Sequence, residues 1–173
     1  MKELSNKTAI ITGGSKGIGK GIVKKFAEEG CNIAFSYLSS ESSASKLEKE
    51  IKSLGVKVKK YKSDASNFKE GNQLINDVIN DFGGFDILIN NAGITKDNLL
   101  LRMDYESWKK VLDINLNSCF NLTKAAVKEF LKKKKGSIIN ISSIVGIKGN
   151  AGQSNYAASK GGINSFTKSI ALE

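Results

Sequence analysis

The chain has 173 residues, 40% hydrophobic and 25% charged, which fits one domain with a sizeable core and excludes a disordered or fibrous class. It carries 27 basic against 17 acidic residues and a net charge of +10, a balance that suits an anionic cofactor, an acidic protein partner or nucleic acid. It has no histidine, so histidine-based triads and most zinc sites are excluded, and no apolar run approaches the roughly 20 residues of a membrane helix.

The stretch Met1–Lys7 leads straight into a strand without a signal-peptide core, so a cytoplasmic protein is expected. Thr8–Thr12 reads as a short apolar strand and Gly13–Gly19 as a glycine-rich turn. Gly17–Glu29 has helical spacing, with Ile18, Ile22, Val23 and Phe26 on one face, and stops at Gly30. Asn32–Ser36 is a second strand, Ser42–Leu54 a polar amphipathic helix and Val56–Tyr61 a third strand. Asn67–Phe82 is a helix with Leu74, Val78 and Ile79 inward, followed by a buried fourth strand, Asp86–Asn90. A loop leads to one long helical pattern from Tyr105 to Lys134, broken by Gly136. Ser137–Ile141 is a fifth strand, a Gly/Ser/Asn-rich loop runs to Ser154, and a last helix covers Asn155–Glu173.

Strands and helices alternate strictly. That pattern predicts an α/β fold, a doubly wound parallel sheet in a single domain over 1–173. Ligands of such sheets bind at the C-terminal ends of the strands, and every notable motif follows a strand.

Thr12-Gly13-Gly14-Ser15-Lys16-Gly17-Ile18-Gly19 lies between a strand and a helix N-terminus, the place for a pyrophosphate. Gly13 suits the tight turn, Gly17 the approach of phosphates and Gly19 close helix–strand packing. An acid at the end of the second strand would favour NAD, but the end reads Phe35-Ser36-Tyr37-Leu38-Ser39, with the first acid at Glu41. A missing acid, with Lys16 as a nearby cation, favours a 2′-phosphate and hence NADP. Asp64-Ala65 after the third strand reads equally as a helix N-cap or an adenine contact. Asn90-Asn91-Ala92-Gly93 after the fourth offers small residues against which a planar ring can lie. Asn115, taken alone, reads as a solvated position on the long helix. Ser143 ends the fifth strand, thirteen residues before Tyr156.

Tyr156 and Lys160 are four residues apart, which places both on one helix face. A lysine cation beside a phenol favours the phenolate, and such a tyrosine exchanges a proton with a substrate oxygen near neutral pH. Cys31 and Cys119 read as small reduced core residues. Lys132–Lys135 reads as a solvated helix end whose cations suit the helix dipole, with an acidic partner as the second reading.

Together, Thr12-Gly13-x3-Gly17-x-Gly19, Asn90-Asn91-Ala92-Gly93, Asn115, Ser143 and Tyr156-x-x-x-Lys160 resemble the short-chain dehydrogenase/reductase family over essentially the whole chain. The resemblance implies a Rossmann-like sheet in the order 3-2-1-4-5 and a catalytic tetrad of Asn115, Ser143, Tyr156 and Lys160. It implies cofactor contacts from Gly13, Ser15, Lys16, Gly17, Ile18, Gly19, Ser36, Asp64, Ala65, Asn91, Ala92 and Gly93, together with Tyr156 and Lys160. Residues 90–103 and 152–162 look most like those of the 3-oxoacyl-[acyl-carrier-protein] reductases of fatty acid biosynthesis. That likeness implies NADPH as cofactor, acidic acyl carrier protein as partner, and a homotetramer built through the long helix and the Tyr156 helix.

The same resemblance implies two further strands, a lid-like substrate loop and a Pro-Gly turn beyond Glu173, so a C-terminally truncated chain is expected. The fifth strand is then expected to be an apolar edge, and the chain alone to have weak or no turnover. Two alternatives remain open. One is a short-chain dehydrogenase acting on an alcohol, sugar or acyl-CoA. The other is a non-catalytic nucleotide-binding or assembly module.

Overall fold

The chain, seen in a computed structural model, is described over residues 2–173. β1 (Thr8–Ile11) is buried at every position and takes the centre of a five-stranded sheet. Its neighbours are β2 (Asn32–Tyr37) and β4 (Ile87–Asn90), paired in register through Ala9↔Ile33 and Ala9↔Ile87. β3 (Val58–Lys62) and β5 (Ser137–Asn140) form the two edges. All pairings are parallel and the order is β3-β2-β1-β4-β5, the expected Rossmann-like topology. Apolar runs such as Ile10-Ile11 and Ile33-Ala34 occupy strands covered on both faces, as a parallel sheet requires.

One face is covered by α1 (Gly17–Glu28) and α2 (Glu41–Lys52), which send Val23, Ala27, Leu47 and Ile51 against Ile11, Ile33 and Phe35. The other face is covered by α3 (Phe68–Phe82) and α5 (Ser118–Lys133). There Leu74, Val78, Leu122 and Ala126 meet Ile10, Ala34 and Leu88. α7 (Ser154–Ile170) packs against α4 (Tyr105–Leu112) and against the short α6 (Val145–Lys148). The α6–α7 contact depends on Gly146, where a Cβ would lie 2.6 Å from the backbone carbon of Lys160.

The structure departs from the sequence reading at several points. Tyr105–Lys133 is helical throughout, as the pattern predicts, but not α-helical throughout. A π-helical segment, Asp113–Asn117, separates α4 from α5. The loop before Ser154 contains α6, and a turn of 3-10 helix covers Leu100–Arg102. Ile18 does not join the buried face of α1; it is 68% exposed at the helix start. Asp64 is not the N-cap of α3. That role belongs to Asn67, whose side chain accepts from the N–H groups of Lys69 and Glu70. α5 ends through Lys134, in the left-handed region at φ 51°, ahead of Gly136. At the β5 edge Ile139 is 43% exposed.

β2 and β3 extend from one side of β1, and β4 and β5 from the other. The sheet therefore reverses its winding between β1 and β4. The loops that follow the strands converge on that point, where such folds bind ligands.

Candidate active site

A cleft of about 490 Å³ opens at the C-terminal ends of the strands. Its walls come from the turns after β1, β2, β3, β4 and β5 and from Tyr156 and Lys160 on α7. Every position expected to contact a cofactor lines it: Gly13, Ser15, Lys16, Gly17, Ile18, Gly19, Ser36, Asp64, Ala65, Asn91, Ala92, Gly93, Tyr156 and Lys160. The exposure of Ile18 follows from this, because its side chain faces the cleft instead of the core.

The first turn has the form of an anion cradle. Gly13 takes φ +64° with Ala92 Cα about 3.1 Å from where its Cβ would be. A Cβ at Gly17, also at positive φ, would meet nothing within 4 Å, so the backbone there is open to the cleft. At Gly19 a Cβ would sit 2.3 Å from the Gly13 carbonyl oxygen, so only glycine lets α1 approach the turn so closely. No side chain caps the first turn of α1 and no acid occupies it. Its N–H groups and dipole are left to an anion, which fits the pyrophosphate of a dinucleotide.

Thr12 ties this turn to the next strand. Its hydroxyl accepts from the N–H groups of Asn91 and Ala92, both at 3.0 Å, and donates to the Ile89 carbonyl at 3.4 Å. The Asn91 amide donates in return to the Thr12 carbonyl at 2.9 Å. The walls of the cleft on either side of the winding reversal are thus cross-linked by two side chains.

At the far end of the cleft the backbone of Ser36 accepts from Gly14 N–H at 2.9 Å, and Leu38, Ser39 and Ser40 continue the wall. Asp64 is folded into its own turn, accepting from the Ser66 N–H and hydroxyl at 2.9 and 2.6 Å. Asn121 on α5, 5% exposed, holds the same turn by donating to the carbonyls of Ala65 and Ser66.

At the near end, Lys160 is 4% exposed and its Nζ donates to the Ile141 carbonyl at 2.6 Å. Burial holds its pKa below the ordinary lysine value. The same Nζ lies 5.7 Å from the centroid of the Tyr156 ring. Asn115 is 1% exposed and is not the solvated residue its helix position suggests. It accepts from Ile94 N–H at 2.8 Å and donates to Ile94 C=O and to Ser159 Oγ, both at 3.0 Å. Ser159 in turn donates to the Tyr156 carbonyl at 2.8 Å. The π segment turns Asn115 inward, because one extra residue per turn rotates the helix face.

Tyr156 and Lys160 line the cleft, whereas the buried Asn115 and the half-buried Ser143 do not. Asn115 nevertheless reaches the same point as Lys160: a Cβ on Gly93 would be 3.2 Å from its Oδ1 and 3.8 Å from the lysine Nζ. Ser143 Oγ accepts from Val145 N–H at 3.2 Å, and its neighbour Ser142, which does line the cleft, donates to the Lys160 carbonyl at 3.1 Å.

Asn121, Asn155 and Ser159 escape the sequence reading, and Thr12 enters it only as part of the glycine motif. Thr12, Asn121, Asn155 and Ser159 are buried polar residues. Asn155 donates to the Lys96 carbonyl at 2.9 Å and accepts from Tyr156 N–H at 2.7 Å, pinning the start of α7 to the loop after β4. Their adjacency to Gly13, Tyr156 and Lys160 is the one signal the sequence holds for three of them; Asn121 has none. The two cysteines are buried and free, and desolvation pushes Cys31 up to about 12 and Cys119 up to about 11. Lys132–Lys135 precedes β5 and so lies at the edge of the sheet opposite the cleft. No helix among the described residues is long and apolar enough to cross a membrane.

A family model described as short chain dehydrogenase matches residues 7–173. The 3-oxoacyl-[acyl-carrier-protein] reductase FabG of Staphylococcus epidermidis is 44% identical over 168 residues, covering 97% of this chain and 69% of that protein. Proteins of the same name from Vibrio cholerae and Chlamydia muridarum are 44% and 42% identical, each covering 98% of this chain and 68% of the relative. The match runs through the glycine turn, the β4 loop and the Tyr156 helix alike, and the chain belongs to the short chain dehydrogenase family.

Proposed function

We propose that the chain is an oxidoreductase that uses NADPH to reduce the 3-oxo group of an acyl thioester on acyl carrier protein to the 3-hydroxy form. The observation that carries this reading is one cleft with an anion cradle at one end and, at the other, the Tyr156 phenol beside a buried ammonium that has no carboxylate partner among the described residues. The 44% identity to proteins named for that reaction supports the substrate class.

In this reading Gly13, Ser15, Lys16, Gly17, Ile18 and Gly19 hold the pyrophosphate. Ser36, Asp64 and Ala65 flank the adenosine, and Asn91, Ala92 and Gly93 flank the nicotinamide. Bound NADPH supplies a hydride to the 3-oxo carbon. Tyr156 gives its hydroxyl proton to the oxygen as negative charge develops there. The Lys160 ammonium stabilises the charge left on the phenol, and its low exposure strengthens that effect by excluding water. Lys160 also binds the nicotinamide ribose. The family likeness also assigns Ser143 to the substrate oxygen, although Ser143 does not line the cleft and its Oγ accepts from Val145 N–H. Asn115 helps hold a water that returns protons to Lys160. Exposed Tyr105, Phe120 and Leu131 along α4 and α5 support assembly of copies through that flank.

The test is consumption of NADPH with an acetoacetyl thioester of acyl carrier protein. Turnover that Tyr156→Phe removes is the expected result. Turnover of equal rate in Tyr156→Phe refutes the role of the tyrosine, and NADPH binding without turnover, unaffected by the substitution, favours a non-catalytic module.

A further inference from the structure

The end of the cleft beside β2 contains an acid that the structure takes out of use. Glu41 is the first residue of α2 and directly follows Ser40, which lines the cleft. A carboxylate in that neighbourhood would repel a 2′-phosphate and would welcome a ribose hydroxyl. Glu41 does neither in its observed position. Its carboxylate is turned toward the edge of the sheet, where it pairs with Lys60 Nζ on β3 and accepts from the Tyr37 hydroxyl at the end of β2. It is absent from the cleft wall, although Tyr37, Leu38, Ser39 and Ser40 are all part of it.

The three side chains bind one another, and Ser45 Oγ on α2 also donates to the Glu41 carboxylate at 3.4 Å. The Lys60 Nζ also lies 5.4 Å from the centroid of the Tyr37 ring. Tyr37 is 6% exposed, so its hydroxyl is held in one place. The Lys60 ammonium draws the Glu41 carboxyl below its usual range, and the Tyr37 phenol, hydrogen-bonded to that carboxylate, is pushed up. The lowered carboxyl keeps Glu41 charged, and its partners Lys60 and Tyr37 place that charge outside the cleft wall.

From this arrangement we infer that Lys60 and Tyr37 set the cofactor preference by holding Glu41 away from the 2′ position of the adenosine ribose. Lys60 is thus a positioning residue for specificity, one shell removed from the cofactor. Lys16 supplies the attraction for the 2′-phosphate, and the Lys60–Tyr37 clamp removes the repulsion. The inference rests on the dinucleotide-binding reading given above.

Direct binding tests it without recourse to turnover. NADPH and NADH are titrated separately into the wild-type chain and into Lys60→Met, Glu41→Gln and the double variant, with nicotinamide fluorescence as the readout. Lys60→Met frees Glu41 to rotate, and the NADPH-over-NADH affinity ratio is expected to fall about tenfold, the scale of one uncompensated nearby charge. Glu41→Gln alone is expected to keep or raise the ratio. The double variant is expected to return to the wild-type ratio, because the repelling charge is gone. An unchanged ratio in Lys60→Met overturns the inference while leaving the dinucleotide site intact. A loss that persists in the double variant also overturns it, since Lys60 would then act by its own charge. Failure of the wild-type chain to bind either dinucleotide overturns the functional reading and the inference together.

Discussion

Asn115→Ala tests whether the buried amide of the π segment ties the site together. The side chain makes three hydrogen bonds: it accepts from Ile94 N–H and donates to Ile94 C=O and to Ser159 Oγ. Asn115 is 1% and Ser159 0% exposed, so water does not readily replace what the substitution removes. At about 1 kcal/mol for each lost bond, the change costs roughly 3 kcal/mol. For a chain of this length that corresponds to a fall in melting temperature of about 6–12 °C. Urea unfolding followed by the fluorescence of Trp108, the single tryptophan, measures it as a lower midpoint at an unchanged slope. Asn117 is the control. It lies in the same segment but is exposed, and its side chain reaches only Asp113. Asn117→Ala is expected to stay within about 0.5 kcal/mol of wild type. Equal effects at the two positions would refute the claim that Asn115 joins the β4 loop to α7.

Three other substitutions separate packing, charge and backbone strain. Gly19→Ala places a methyl 2.3 Å from a backbone carbonyl and 2.6 Å from Asn91 Nδ2, so it should destabilise by about 1–3 kcal/mol and weaken dinucleotide binding, both read by denaturation and fluorescence titration. Lys160→Met removes a buried cation whose pKa lies below the unfolded value of 10.5. The unfolded chain binds the proton more tightly, so the penalty is full below the folded-state pKa and fades as pH rises toward 10.5; the variant's stability relative to wild type should fall over the same range, as pH-dependent urea midpoints will report. Lys134→Gly relieves a left-handed residue at the end of α5 and should stabilise by about 1 kcal/mol in the same assay.

The doubly wound parallel class was legible because short apolar runs and helical patterns alternate, whereas the strand order came from the family resemblance. The glycine turn was legible because Gly13 and Gly19 serve backbone geometry that no other residue fits, and geometry of that kind marks the sequence. Burial of single polar residues was not. Asn115, Asn121 and Asn155 look alike as letters, and whether an asparagine faces water or a carbonyl depends on elements far away in the chain. The π segment is equally hidden, because its residues suit an ordinary helix and the partners its Asn115 meets, Ile94 and Ser159, lie far away in the chain. Asp64 and Asn67 illustrate the same point within one loop. Either is a good helix cap by composition, and the loop's path after β3 gives the role to Asn67. The absence of an acid at the end of β2 was visible in Phe35–Ser39, but the capture of Glu41 by Lys60 and Tyr37 requires β3 to lie beside β2.

The proposed chemistry requires the cleft between the glycine turn and the Tyr156 helix to hold a 2′-phosphorylated dinucleotide. Titration of the purified chain with NADPH, followed by nicotinamide fluorescence and competed with adenosine 2′,5′-bisphosphate, measures it directly. Saturable binding of one NADPH per chain, displaced by the bisphosphate and weakened by Gly19→Ala, is the expected result. Absence of binding, or binding that neither the competitor nor Gly19→Ala alters, would contradict it.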